Sequence, residues 1–116
     1  MVQYESPSLD VTFAALSDAT RRGVVVHLCH ADASISDLAS RFGMTLTGMS
    51  KHIAVLQEAG LVVTQKVGRV RKCRLGPGKM NEAAAWLDRY RQMWDARFNS
   101  LDNLLEDMKR REKADE

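Results

Sequence analysis

The stretch Ser34-Ile35-Ser36-Asp37-Leu38-Ala39-Ser40-Arg41-Phe42-Gly43-Met44-Thr45-Leu46-Thr47-Gly48-Met49-Ser50-Lys51-His52-Ile53-Ala54-Val55-Leu56-Gln57-Glu58-Ala59-Gly60 decides the fold. Ser34 and Asp37 stand three apart, the pattern of a capping box, in which the serine accepts from the backbone at Asp37 and the aspartate reaches back. They open a short helix from Ile35 to Phe42, with Leu38 and Phe42 turned inward. Gly43 ends it at a position suited to left-handed backbone. After Met44, Thr45 offers a cap for a second helix, along which Leu46, Met49, Ile53 and Leu56 recur at helical spacing and are expected to face the core. Gly60 stops this helix after about four turns. Two helices joined by so tight a glycine-containing turn are a helix-turn-helix signature.

On the N-terminal side, residues 1–8 read as a flexible arm. Leu9, Phe13 and Leu16 keep a 3–4 spacing and predict a short amphipathic helix. Ser17 or Asp18 caps the next helix, of about three turns, which carries Val24, Val25 and Leu28. Arg21 and Arg22 fall in its first turns, where the helix dipole disfavours cations, so an acidic neighbour or a phosphate is expected beside them. On the C-terminal side, Leu61-Val62-Val63-Thr64 is β-prone, a glycine lies between Val67 and Arg69, and Val70-Arg71-Lys72-Cys73-Arg74-Leu75 reads as an alternation of apolar and basic side chains. These predict a hairpin with one packed face and one wet, basic face. Gly76-Pro77-Gly78 terminates it.

Residues 80–111 contain no glycine or proline. Leu87, Tyr90, Trp94, Phe98, Leu101, Leu105 and Met108 sit mostly three, four or seven apart and form an apolar stripe longer than one small domain can cover. Burial against a second copy of the chain is expected. The spacing is not a strict heptad, so ordinary helix packing is expected over a long coiled coil. Trp86 and Trp94 have an alternative as the lining of a small effector pocket. Residues 112–116 read as a frayed tail.

The chain has 116 residues, 45% hydrophobic and 28% charged, with a formal net charge of +2. That length suits one modest domain and is too short for a barrel or doubly wound enzyme. No arrangement of nucleophile, base and orienting group emerges, so no enzyme is expected. The charge is unevenly spread. Residues 41–79 hold eight basic side chains against one acidic, Glu58, while both flanking segments are net acidic. A basic middle points to a polyanion. His27, Cys29, His30 and Asp32 invite a metal reading, but the two histidines lie one turn apart at a helix end, where the dipole already favours cations; no metal and no cofactor are expected. Cys29 and Cys73 read as inert thiols, with a redox switch as the alternative. No run approaches 18 continuous apolar residues, the start lacks a signal-peptide pattern, and a cytoplasmic location without membrane contact is expected.

The second helix of a helix-turn-helix enters the major groove with its N-terminal residues at base edges. Here these are Thr45, Thr47, Gly48, Ser50, Lys51 and His52, of which His52 either faces DNA or covers the surface. Gly48 allows close approach of a base edge or phosphate, or a tight helix crossing. Arg69 at the hairpin tip is placed for an adjacent minor groove, and Arg71, Lys72 and Arg74 for phosphates.

These residues resemble a known family. Leu16-Ser17-Asp18-Ala19-Thr20-Arg21-Arg22, Ser36-Asp37-Leu38-Ala39, Phe42-Gly43-Met44-Thr45, the run from Ser50 to Val62 and Gly68-Arg69 are together similar to ArsR-type winged helix regulators. The resemblance spans about residues 9–108 and implies a homodimeric repressor on a partly palindromic operator near its own promoter. It also implies dimerisation through the first and last helices, which adds Leu9 and Phe13 to the interface. Members sensing arsenic or cadmium carry a Cys-x-Cys near the scaffold helix, and zinc sensors carry histidine on the last helix. This chain has neither, which implies a branch without those metal sites and with an effector, if any, of another kind. Cys73 stands where an aromatic is usual, and Thr47-Gly48 is an uncommon pair, so the operator does not follow from relatives.

The expected architecture is mainly α with a small β-hairpin: a winged helix-turn-helix domain over 9–111 that includes a dimerisation helix over 80–111. The expected function is sequence-specific binding of double-stranded DNA by a homodimeric repressor. A dimeric protein-interaction adaptor on the same fold and a transcriptional activator are the alternatives.

Overall fold

A computed structural model of the chain describes residues 7–77 and 79–115. Helix α1 spans Pro7–Ala15. Pro7 opens it, where a missing N–H is harmless, so the last two residues of the expected arm are already helical; residues 1–6 lie outside the described residues. Leu9, Thr12 and Ala15 form its buried stripe, and the Thr12 hydroxyl is satisfied by donating to the Ser8 carbonyl at 2.9 Å. Helix α2, Ala19–His30, is capped by Asp18, whose carboxylate accepts from the Arg21 N–H. Val24 and Leu28 are its deepest residues. Arg21 has an acidic neighbour in Asp18, whose carboxylate accepts its backbone N–H and has its pKa lowered by its charge, but the guanidinium groups of Arg21 and Arg22 reach carbonyls. Arg21 donates to the carbonyls of Ala15 and Ala14, and Arg22 to that of Leu16. The end of α1 lies beside the start of α2, and its C-terminal carbonyls favour the cations that the α2 dipole disfavours.

Strand β1, Ala33–Ser34, leads straight into helix α3, Ile35–Arg41. Ser34 accepts from the Asp37 N–H at 3.0 Å, which is the serine half of the expected box. Phe42 caps the C-terminus instead of extending the helix. It packs against Gly23 of α2, where a Cβ would come within 2.7 Å of the ring. The mid-helix glycine thus serves the close approach of the Phe42 ring to α2. Gly43, at φ 63°, turns the chain into helix α4, Leu46–Glu58. Met49, Ile53 and Leu56 are buried as expected, but Leu46 is 55% exposed. As the first residue of α4 it lies before the buried stripe begins and projects at its edge.

The wing follows as strands β2, Val62–Val67, and β3, Val70–Leu75, joined through Gly68 at φ 63°. With β1 they make an antiparallel sheet of order β1-β3-β2. The register pairs Ala33 with Cys73, Thr64 with Cys73 and Lys66 with Arg71. Directly paired residues share a face, so Val62, Thr64, Lys66, Arg71 and Cys73 lie on one side and Lys72 and Arg74 on the other. The expected division into a packed face and a basic face is therefore corrected: each face of the hairpin carries cations. In β3 the apolar residues 70, 73 and 75 do not alternate strictly, and burial is confined to Cys73. The two-residue β1 carries too little pattern to be read from sequence.

The core joins α2, α3, α4 and the root of the wing, with Val24, Leu38, Met49, Leu56, Val62 and Cys73 fully buried. The chain divides into two units, residues 1–83 and 84–116. Within the first, the start of helix α5 (Lys79–Ala114) buries Ala83. The second is the remainder of that helix, which is 36 residues long in all, a rod of about 54 Å. Residues 112–114 continue it, where a frayed tail was expected.

Candidate nucleic-acid interface

Thr45 is an exposed N-cap whose Oγ1 accepts the Gly48 N–H at 3.0 Å. A Cβ at position 48 would stand 3.1 Å from that same Oγ1 and 3.4 Å from the Met44 methyl, so the cap supplies a local reason for glycine here. Beyond the cap, Thr47 and Lys51 are exposed on the side of α4 away from the core, and Ser50 is half-buried. The expected contact residues of α4 thus divide. Among the described residues Thr47, Ser50 and Lys51 have no side-chain partner, while Thr45 and Gly48 shape the helix start.

His52 is half-buried at the junction of α1 and α2. Its Nδ1 lies 3.2 Å from Nη1 of Arg21 and 3.9 Å from Oδ2 of Asp18. A guanidinium only donates, so the Arg21 contact is made by the neutral ring with Nδ1 accepting, whereas the protonated ring pairs its Nδ1–H with Asp18. The Arg21 N–H holds the Asp18 carboxyl below its ordinary range, with the His52 and Arg21 charges adding to this and partial desolvation opposing it. His52 therefore ties α4 to the capped start of α2.

Arg69 is exposed at the hairpin tip. Between α4 and the wing runs an open channel of about 510 Å³. Ser50 and Gln57 line it from α4, Thr64, Arg69 and Arg71 from the wing, and Ser34 and Ser36 from the start of α3. No lining residue is acidic. Arg71 donates to the Thr64 hydroxyl at 3.1 Å, and Thr64 contacts Oε1 of Gln57 at 3.4 Å. Burial pushes the Cys73 thiol up, against the pull of the nearby Arg71 charge. Lys72 and Arg74 lie on the opposite face, and Lys72 stands 4.0 Å from Asp32. Sequence reasoning grouped Arg71 with these two and missed Gln57, Thr64 and Lys66. Counting alternate residues from the buried Val62 would have placed Thr64 and Lys66 on the helix-facing side.

The second unit presents a ladder of rings: Trp86 and Tyr90 stack at 5.4 Å, Tyr90 and Trp94 at 6.4 Å, and Phe98 meets Trp94 edge-on at 5.0 Å. Leu87, Tyr90, Trp94, Phe98, Leu101, Leu105 and Met108 are between 38% and 55% exposed. Phe13 is half-buried, whereas Leu9 is already buried within one chain.

The sequence model of a helix-turn-helix domain family matches residues 16–65. HTH-type transcriptional regulator Rv2034 of Mycobacterium tuberculosis is 33% identical over 90 residues, covering 78% of this chain and 82% of its own length. The crystal structure of the ArsR family transcriptional regulator RHA00566 superposes with a TM-score of 0.72 at 38% identity, covering 82% of this chain and 97% of that one. The chain belongs to the ArsR family. It is a winged helix-turn-helix protein of a family of DNA-binding transcriptional regulators, not of enzymes. The arsenical resistance operon repressor of Escherichia coli is 33% identical over 66 residues, 56% of each chain. Among the described residues of this ArsR-family chain, no three His, Cys, Asp or Glu side chains gather as a metal site, and no helix is long and apolar enough to cross a membrane.

Proposed function

We propose that the protein is a homodimeric repressor that binds a partly palindromic operator in double-stranded DNA and blocks a promoter by occupying it. The observation that carries this reading is the outer side of α4. Thr47 and Lys51 stand free there and Ser50 is beside them, flanked by the cationic wing tip at Arg69. Hydroxyls and an ammonium suit base edges and phosphates in a major groove, and an arginine at a loop tip suits the negative potential of a narrow minor groove. His52 contributes at most its Nε2–H, and Lys72 and Arg74 act as peripheral phosphate contacts. Two copies would place their α4 helices in successive major grooves, about 34–36 Å apart.

The dimer reading rests on α5. Its exposed stripe from Leu87 to Met108 exceeds what a monomer normally leaves in water, and Phe13 of α1 is a separate candidate for the interface. Leu9 is dropped from the interface, because a residue hidden within one chain has little surface left to give. Repression is supported by the likeness to the E. coli repressor, and a cytoplasmic location by the need to meet the chromosome.

The test is fluorescence anisotropy with a duplex from the gene's own upstream region against a scrambled duplex, at about 50 and 200 mM salt. A preference of about 10³-fold or more for the upstream duplex, with steep salt dependence, is expected. Equal binding to both would remove sequence specificity at that site. No binding at the lower salt would sink the DNA reading and bring the adaptor forward.

A further inference from the structure

A helix seated in a major groove and a wing tip seated in the neighbouring minor groove lie on opposite sides of one sugar–phosphate strand, because that strand is what separates the two grooves. In this protein the space between those two elements is the channel bounded by α4 and the wing. Beside an apolar floor of Ile35, Leu46, Ile53, Ala54 and Val70, its walls carry groups that suit such a strand. They bring hydroxyls from Ser34, Ser36 and Ser50, an amide from Gln57 and guanidinium groups from Arg69 and Arg71, with no carboxylate to repel a phosphate. Among the described residues neither arginine is spent on an ion pair.

Resting on the DNA-binding reading above, in which this channel faces the strand dividing major from minor groove, we infer that Gln57 and Thr64 are positioning residues that fix Arg71 as its phosphate clamp. Arg71 and Thr64 are diagonal neighbours across the hairpin, on the face that also carries Lys66 and the buried Cys73. The Thr64 hydroxyl accepts from Nη1 of Arg71 and turns its own proton toward Gln57 of α4. Wing and recognition helix are thereby joined at the arginine, and the remaining guanidinium N–H groups are free to meet a phosphate. An arginine held in this way loses less rotamer freedom on binding than one swinging in solvent. Lys72 and Arg74, on the far face, lie outside the channel.

A double-mutant cycle tests this by anisotropy on the upstream duplex across a salt series, with thermal melts to verify folding. Arg71→Ala should lower the salt slope by about 0.9 for each phosphate that the arginine neutralises. Thr64→Val should weaken binding about threefold or more while Arg71 is present, and have almost no effect in the Arg71→Ala background. Thr64→Ser, which keeps the hydroxyl, should restore affinity. Gln57→Ala, at an exposed position, should behave like a milder Thr64→Val and carries the test should that variant fold poorly. An unchanged slope for Arg71→Ala, or equal effects of Thr64→Val and Gln57→Ala with and without Arg71, would overturn the clamp while leaving DNA binding intact. Failure of the unaltered protein to bind any duplex would overturn both readings together.

Discussion

Thr45 shows how much one side chain can be asked to do. The sequence marks it both as a helix cap and as a candidate DNA contact, and the structure gives its acceptor oxygen to the Gly48 N–H. Thr45→Ala is expected to cost about 1 kcal/mol of stability by loss of the cap, measurable by urea denaturation, whereas Thr45→Ser should cost little. Asp18 makes a different case. Its carboxyl titrates below the ordinary value of 3.8, chiefly because it accepts the Arg21 N–H. A folded-state value depressed in this way adds stability that is complete above the unfolded value and is lost as pH falls through the folded one. The thermal midpoint of the unaltered protein should therefore exceed that of Asp18→Asn near neutral pH, and the gap should close below about pH 4. A gap independent of pH would mean the charge plays no part. The caps at Ser34 and Thr45 were legible, and that of α2 was narrowed to Ser17 or Asp18, because a cap needs only neighbours along the chain. The partners of Arg21 and His52 were not, since they depend on where α1 ends in space.

At the level of elements, α2, α3, α4 and the two wing strands were readable from glycine punctuation and apolar period. The faces of the wing were not. Position 71 falls on the side of the buried Cys73 and position 72 on the other, and only the cross-strand register assigns them. Leu46 fits the helical spacing of Met49, Ile53 and Leu56, yet stands in solvent because the stripe is buried only from Met49 onward. The channel was likewise illegible, since it is made by α3, α4 and the wing together. Gly76 closes the wing by donating its N–H to the Leu61 carbonyl at 2.8 Å. A Cβ at Gly76 would meet the Gly60 carbonyl oxygen at 2.2 Å, and its three nearest neighbours are all backbone atoms of Gly60 and Leu61, so no side chain is there to yield. Gly76→Ala should destabilise by about 2 kcal/mol or more, seen as a lower midpoint in denaturation.

For the whole molecule, the long last helix was legible from the absence of glycine and proline and from its stripe, although its end was placed three residues too early. Its partner can be tested directly. Leu101→Glu should turn a dimer into a monomer by analytical ultracentrifugation, while circular dichroism of the first unit is retained. The unaltered protein should melt at a temperature that rises with protein concentration, as expected when assembly and folding are linked. A concentration-independent midpoint together with a monomeric mass would remove the dimer. Loss of pairing should also weaken operator binding steeply, because each half-site would then be held alone.

The ring ladder of α5 has an optical consequence. The chain has two tryptophans, Trp86 and Trp94, and both are on that helix. Excitation of indole therefore illuminates α5 and leaves α4 and the wing dark. Emission wavelength and quenching by iodide become a built-in gauge of whether the α5 stripe is covered. A second fluorophore on the DNA reports occupancy of the operator separately, so subunit pairing and DNA release can be followed as two colours in one cuvette.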